Sequence, residues 1–156
     1  MKSDSQILQN EFESLKADLI AKHNELGMPA SGKWERELSV DVKRQKAIIY
    51  GTPYTEQLVN GREPGEFPPV DLIRQWIIDK PVPFDPSKIT ISSLAFLFAR
   101  SIAREGTKYF KQGGTDLIES VITPARIQSI IDAVSDFYYN SFSSQLTNLF
   151  KNMEPA

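Results

Sequence analysis

One stretch decides how this chain folds: Gly61-Arg62-Glu63-Pro64-Gly65-Glu66-Phe67-Pro68-Pro69-Val70-Asp71-Leu72-Ile73-Arg74-Gln75-Trp76-Ile77. It opens as a turn-rich loop and continues as an amphipathic helix. Pro68 and Pro69 fix φ and lack a backbone N–H, which a helix tolerates only in its first turn. The residue before each proline is pushed toward extended geometry. We therefore expect the chain to arrive extended and to turn abruptly into a helix that carries Trp76.

A long amphipathic helix is predicted at the start of the chain, within residues 1–30. Its apolar residues recur at steps of three, four and seven, as one face of a helix requires: Leu8, Phe12, Leu15, Leu19 and Leu26. Gly27, with Pro29 shortly after it, is typical of a helix end. We expect this helix to pack on the core or to contact a neighbouring subunit.

The hydrophobic pattern changes from helical to alternating after Gly32, which predicts two strands. Trp34, Leu38 and Val40 alternate with polar residues, and the run from Ala47 to Tyr50 lies in the second strand. We expect the strands to join near residues 40–42. This region has no Asn-Gly pair, the strongest sign of a tight two-residue hairpin.

Two more helices are predicted after the hairpin. The first runs from Pro69 to Asp79, and the second runs from a Thr90 or Ser92 cap to Glu105. The second is apolar almost all round in its first half, so we expect that half at the centre of the core. Its alanines lie four residues apart and form a flat seam for a neighbouring element: Ala95, Ala99 and Ala103. A mobile loop is predicted over residues 106–115.

The last helix is predicted to begin at Thr123, because a cap residue followed by Pro124 is a strong start signal. Its apolar face begins at Ile127 and extends to Phe150. Residues 140–148 are rich in Ser, Asn and Thr, which are weak helix formers. We expect a kink or a packed partner in that part of the helix.

These elements predict an α+β fold in a single domain over residues 1–156. The expected architecture is a small antiparallel sheet or hairpin packed by about four helices, with long N- and C-terminal helices. The N-terminal helix is assigned to residues 1–30, the α+β core to residues 31–122 and the C-terminal helix to residues 123–156.

Composition narrows the function classes. The formal net charge is −2, so the whole molecule is not an electrostatic nucleic-acid binder, although a local basic face remains compatible with it. With no cysteine, disulfides, thiolate metal sites and cysteine nucleophiles are excluded. Residues 1–13 lack the features of a signal peptide. The longest apolar run, Leu94 to Ala99, is far shorter than the roughly 20 residues of a membrane span, so we expect a soluble protein.

The residues that usually carry catalysis are sparse. His23 is the only histidine, and its place on the polar side of the first helix predicts exposure to solvent rather than a catalytic or metal-binding role. Asp132 and Asp136 lie one helical turn apart, but their position opposite the apolar stripe of the helix favours a solvated face over an acid–base pair. Gly113 and Gly114 are not followed by a lysine, so they do not form a phosphate loop. We expect no enzyme activity, no catalytic residues, no cofactor and no metal.

Four basic residues recur at three- or four-residue steps: Arg100, Arg104, Lys108 and Lys111. We call them the basic rim. Arg100 and Arg104 fall near a predicted helix C-terminus, where the helix dipole favours positive charge. The alternative reading is a surface that faces a polyanion, with salt-sensitive binding to phosphates. Repeated around a ring of subunits, such a rim would line a channel.

Several short motifs stand in order in the middle of the chain: Gly51-Thr52-Pro53-Tyr54, Asn60-Gly61-Arg62-Glu63-Pro64-Gly65, Phe67-Pro68-Pro69 and Ile73-x-x-Trp76-Ile77. A helix with Leu97-Phe98-Ala99-Arg100-Ser101-Ile102-Ala103-Arg104-Glu105-Gly106-Thr107-Lys108 follows them. Over residues 51–121 the chain resembles tailed-bacteriophage neck proteins, the head–tail connector or tail-completion family. The longer end, residues 112–156, is similar to the versions in crAss-like and other Bacteroidetes phages.

The resemblance implies an α+β virion structural protein that forms a closed homo-oligomeric ring between portal and tail. Its partners would be further copies of itself, portal, adaptor or tail proteins, and the genomic DNA that passes through the ring. It would act in the virion neck after assembly in the host bacterial cytoplasm. The basic rim supplies the DNA-channel candidates. The proline loop, residues 61–69, and the helix after it supply the assembly-surface candidates, Arg62, Pro64, Phe67 and Trp76. The long first and last helices are further candidates for the surfaces between subunits. The alternative function is a small cytoplasmic nucleic-acid-associated adaptor that uses the basic rim.

Overall fold

The computed structural model describes residues 2–153 and has the predicted α+β class, with long helices at both ends. Four of its helices have ten or more residues, and three are shorter. In chain order the elements are α1 (Asp4–Glu25), α2 (Lys33–Glu37), β1 (Ser39–Lys43), β2 (Lys46–Tyr50), α3 (Thr55–Asn60), α4 (Val70–Asp79), α5 (Ile91–Glu105), α6 (Lys108–Lys111) and α7 (Pro124–Asn152).

Helix α1 ends where Gly27 and Pro29 predict, and Ser3 caps its start. The Ser3 hydroxyl accepts a hydrogen bond from the Gln6 N–H and so caps the first turn. At the other end Gly27 adopts φ +65°, a left-handed conformation in which glycine is least strained. Leu15 and Leu19 are buried on one face of the helix. The predicted apolar stripe is therefore the face that packs on the core.

The strand pair is shorter than predicted, and its turn lies elsewhere. Trp34 is on helix α2 and not on a strand, because Trp34 and Leu38 are four residues apart and both are buried on one side of a helical turn. The strands β1 and β2 pair antiparallel, with Val40 opposite Ile49. They join at Arg44 and Gln45, not near residues 40–42, and Arg44 takes φ +54° to close this turn.

The centre of the core differs from the prediction. Its buried residues come from α1, α2, α3, the turns beside them and the segment between α6 and α7: Leu19, Met28, Trp34, Leu38, Leu58 and Leu117. The first half of α5, predicted to lie at this centre, contributes none of them. Phe96 and Leu97 of that half are 50% and 49% exposed. An apolar helix surface therefore faces outward here.

Helices α4 and α5 pack against each other as a pair. The Thr90 hydroxyl caps α5 by accepting from the Ser93 N–H, and Gly106 ends it, both as predicted. The alanine seam is the packed side of α5, since Ala95 and Ala99 are fully buried. On α4, which begins directly after Pro69, Ile77 is the buried residue. Small side chains on one helix allow the close approach of the other.

The proline loop is fixed to residues 106–115, which were predicted to be a mobile loop. Thr107 caps the short helix α6, and its N–H donates to the Arg62 carbonyl at 2.9 Å. The Arg62 N–H in turn donates to the Thr107 hydroxyl at 2.9 Å. The Thr115 N–H donates to the Val59 carbonyl at 2.7 Å. These long-range hydrogen bonds hold the segment in place, so the mobile-loop prediction was wrong.

Helix α7 starts as predicted, with the Thr123 hydroxyl accepting from the Arg126 N–H and Pro124 in the first turn. It runs without interruption to Asn152, although a kink or packed partner was expected at residues 140–148. The last predicted residues of this helix, 154–156, lie outside the described part of the chain. Within residues 2–153 no helix combines the length and apolar character needed to span a membrane.

Candidate assembly surfaces and basic rim

The first candidate surface lies on the α4–α5 pair and includes two of the predicted assembly residues. Phe67 packs on Phe96 with ring centroids 5.6 Å apart, and Trp76 meets Phe98 edge-on at 6.4 Å. Phe67 and Trp76 are 45% and 38% exposed despite these contacts. Other large apolar side chains of the pair are also exposed: Leu72, Ile78 and Leu97. We call this set the α4–α5 surface.

The other two predicted assembly residues have different environments. Arg62 is half-buried, and its guanidinium Nη2 donates to the Glu66 carbonyl at 3.3 Å across the proline loop. With its backbone bonded to Thr107, it holds the loop in place. Pro64 is exposed at the tip of the loop, and the next residue, Gly65, donates its N–H to the Ala103 carbonyl at 2.8 Å. Arg62 is therefore a positioning residue, while Phe67 and Trp76 present the apolar surface.

The second candidate surface is the carboxyl-terminal half of α7. The Tyr138 hydroxyl bonds to Asp4 and to Gln45 at 2.5 and 2.8 Å. Because α1 begins at Asp4 and runs antiparallel to α7, the rest of α7 extends beyond it. Residues 139–152 would project about 20 Å. We call them the arm.

The arm carries a continuous apolar stripe. Tyr139, Phe142, Leu149 and Phe150 are 56–72% exposed, and Leu146 between them is 37% exposed. At 100° per residue these five side chains fall within one side of the helix. No charged residue occurs from residue 137 to residue 150. The long last helix was predicted as one candidate assembly surface, but none of its residues was singled out. The missing charge along its apolar stripe is the sequence signal that identifies them.

An apolar cleft lies where α1, β2 and the first half of α7 meet. It has a volume of about 430 Å³ and is lined entirely by apolar residues. Phe12 forms part of the α1 wall, Ile48 part of the β2 wall, and Ile127 and Ile131 part of the α7 wall. These two α7 isoleucines are 47% and 50% exposed. The cleft is open to a further apolar group from outside.

Two of the four basic-rim residues share one acidic partner, Glu105, and the other two do not. The Glu105 carboxylate lies 2.5 Å from Arg104 Nη2 and 3.5 Å from Lys111 Nζ. Arg104, followed by Lys111, holds the pKa of Glu105 below its usual value, so the carboxylate stays charged. Within residues 2–153, Arg100 and Lys108 are exposed and have no ion-pair partner. Two of the four rim charges are therefore partly neutralised within the subunit.

His23 lies in the core, which corrects the prediction of an exposed histidine. It is 2% exposed and stacks on Trp34 with ring centroids 4.3 Å apart. Its Nδ1 is 3.2 Å from Glu35 Oε1, although the two are not aligned as a good hydrogen bond. Trp34 Nε1 donates to the Thr55 hydroxyl at 2.8 Å. The histidine therefore joins α1 to α2 and α3 as a packed residue.

The pKa of His23 is lowered, first by burial and then by Lys80, while Glu35 opposes the shift. Burial disfavours the charged imidazolium because it removes the ion from water. The Lys80 ammonium, which donates to the Gly27 carbonyl, adds further positive charge near the site. His23 is therefore neutral near pH 7.

The described residues offer little for metal binding. No group of three or more His, Cys, Asp or Glu residues in that part of the chain is arranged to hold a metal ion. The exposed apolar surfaces and the basic rim are the features that remain for function. No family model, curated protein or solved structure matches this chain.

Proposed function

We propose that this chain is a virion structural protein of a tailed bacteriophage, a subunit of the ring in the neck that joins portal to tail. The observation that carries the proposal is the exposure of two separate apolar surfaces. The α4–α5 surface and the arm together expose at least five aromatic side chains. Monomeric proteins rarely expose large contiguous apolar patches, and such patches mark interaction sites.

Two separate surfaces are what a ring subunit requires. In a closed ring with cyclic symmetry beyond a dimer, each subunit contacts one neighbour with one surface and the other neighbour with a different surface. The arm and the apolar cleft are two such surfaces, and the α4–α5 surface would then remain for portal, adaptor or tail proteins. The resemblance of residues 51–121 to neck proteins supports the same role. This function works by assembly and needs no catalytic group or cofactor.

The basic rim has a place in this proposal. Arg100 and Lys108 would face the channel through which genomic DNA passes, since they are the exposed rim residues that lack an ion-pair partner in the described chain. Glu105 would pair with Arg104 and Lys111 and so weaken their attraction to the DNA phosphates. Weak, sequence-independent attraction suits DNA that must move, because each neutralised phosphate adds affinity.

Electron microscopy of the purified protein, alone and mixed with portal and tail proteins, tests the proposal. We expect ring-shaped particles, and antibody label at the necks of intact virions. A variant with Leu72→Ser and Phe96→Ser is expected to lose attachment to one of these partners without unfolding, because both side chains are exposed. A protein that stays strictly monomeric with every portal and tail partner, and is missing from virions, would contradict the proposal.

A further inference from the structure

We infer that the arm of one copy of this chain docks in the apolar cleft of a second copy. The inference rests on the proposed function, since it names the contact between neighbouring ring subunits. It combines three features of the molecule: an arm whose apolar stripe carries no charge, an apolar cleft open to solvent, and a single helix that contributes to both.

The first feature is the composition of the arm. A solvated helix normally carries charged residues on its outer face, yet residues 137–150 contain none. Aromatic enrichment and depletion of charge are the signature of the buried centre of a protein interface. The arm therefore has the composition of a helix covered on its apolar stripe, although α7 has no buried residue in the described chain.

The second feature is the match between arm and cleft. The cleft lining contains no charged or polar residue, so neither side would leave an unpaired charge when the two meet. Large aromatic side chains bury about 150–250 Å² each. The three aromatics of the arm are 62–72% exposed, so with its two leucines they could bury several hundred Å². That is a large part of the roughly 800 Å² per partner that a standard interface buries.

The third feature is the shared helix, which decides that the occupant comes from another molecule. Ile127 and Ile131 line the cleft, and Phe142 and Leu149 belong to the arm, all on the uninterrupted helix α7. A straight helix cannot fold back on its own first half. The arm therefore cannot fill the cleft of its own chain, and a second copy offers the same arm at equal concentration.

Arm and cleft are different surfaces, so the contact can propagate. When each arm enters the cleft of the next copy, the assembly closes into a ring if the rotation per subunit permits. When two copies exchange arms reciprocally, assembly stops at a dimer with the two α7 helices antiparallel. The arm–cleft contact is common to both arrangements, and only the first one agrees with the proposed function.

Cross-linking tests this contact without background, because the chain contains no cysteine. One protein carries Leu149→Cys on the arm stripe and another carries Ile131→Cys in the cleft wall. After mixing, a short bismaleimide is expected to join the two proteins to each other. The matched control is Asn148→Cys, which lies on the opposite side of the same helical turn. This control is expected to lose most of the cross-link to Ile131→Cys.

A second measurement covers the case in which a cysteine disturbs the cleft. Phe142→Ser combined with Leu149→Ser should leave the helical circular dichroism and the urea midpoint of the monomer unchanged, since both side chains are exposed. It should weaken self-association at least about tenfold, as loss of well-buried interface anchors does. Equal cross-linking by Asn148→Cys, or unchanged self-association of the serine variant, would overturn the inference.

The same experiment separates this inference from the proposed function. A chain with both Leu149→Cys and Ile131→Cys should give a ladder of cross-linked oligomers if arms pass from one copy to the next. Cross-linking that stops at the dimer would support the arm–cleft contact and count against the ring. Rings that form normally with the serine variant would overturn the arm–cleft contact and leave the ring proposal standing.

Discussion

At the scale of single residues, His23 makes the stability of the fold depend on pH. Its folded-state pKa is lowered by burial, whereas an unfolded histidine titrates near pH 6.5. As pH falls through about 6.5, the unfolded chain binds a proton first, so the free energy of unfolding decreases. We expect the urea midpoint to be highest above pH 7 and to fall as pH drops from 6.5 through the folded-state pKa.

The variant His23→Phe provides the control for this prediction. Phenylalanine retains a ring to stack on Trp34 and cannot titrate. Since His23 is the only histidine, the variant should have a nearly constant urea midpoint between pH 5.5 and 7. An NMR titration of the wild-type imidazole should give a pKa below 6.5. A wild-type midpoint that does not change with pH in this range would show that burial does not set this pKa.

Gly61 supplies a second prediction at this scale. It adopts φ +75°, and a Cβ built on it would lie 2.1 Å from the Phe110 backbone nitrogen. We expect Gly61→Ala to lower the free energy of unfolding by roughly 2–4 kcal/mol, from left-handed strain plus overpacking. Gly27→Ala is the matched control, with φ +65° and no atom within 4 Å. Urea unfolding should show a loss of only about 1–2 kcal/mol for that control.

The environment of His23 shows why the sequence did not predict every residue. His23 follows buried Leu15 and Leu19 at four-residue steps, so its assignment to the polar side of α1 was wrong. Its stacking partner Trp34 and its charged neighbours Glu35 and Lys80 are supplied by other elements. Burial of this histidine depends on tertiary contacts between α1 and α2, which local sequence patterns do not contain.

At the scale of elements, the α4–α5 pair depends on the small size of its packed residues. Ala99 is fully buried between the helices, so Ala99→Leu would insert a larger side chain into a filled space. We expect it to lower the free energy of unfolding by about 1–3 kcal/mol. Ser92→Leu on the exposed side of the same helix should change it by less than about 0.5 kcal/mol. Comparable urea midpoints for the two variants would contradict close packing at the seam.

Elements were predictable where backbone chemistry marks their ends. Thr90 and Thr123 cap α5 and α7 as predicted, and Gly27 and Gly106 stand at the ends of α1 and α5. Elements whose ends carry no such residues were not predicted correctly. Residues 33–37 alternate like a strand but form a short helix because Trp34 and Leu38 both enter the core. Helix α6 was missed because its capping Thr107 is held by Arg62, which is distant in sequence.

At the scale of the whole molecule, the sequence predicted the fold class better than the distribution of apolar surface. The apolar first half of α5 suggested the centre of the core, but Phe96 and Leu97 are half-exposed. Periodicity shows that a helix has an apolar face; it does not show whether this chain or another one covers it. Phe67 and Trp76, named from the sequence as assembly-surface candidates, are 45% and 38% exposed. The last helix was a predicted candidate surface, but the contact of Tyr138 with Asp4 at the start of α1 is what shows which part of it projects as the arm.

The last prediction concerns the charge that the whole molecule presents to DNA. Glu105 lies against Arg104 and Lys111, so its carboxylate both occupies these cations and repels phosphate. We expect Glu105→Gln to raise the affinity of the isolated subunit for duplex DNA, measured by fluorescence anisotropy at low salt. Arg100→Gln or Lys108→Gln should lower it and reduce the slope of log affinity against log salt by about one. The control Lys33→Gln removes the same charge from α2, where Lys33 pairs with Glu37, and should leave the slope unchanged. Screened charges act on DNA only over about 10 Å in 0.1 M salt, so a charge outside the basic rim should have little effect. If Lys33→Gln weakens binding as much as Arg100→Gln does, the net charge of the protein and not the basic rim governs its affinity for DNA.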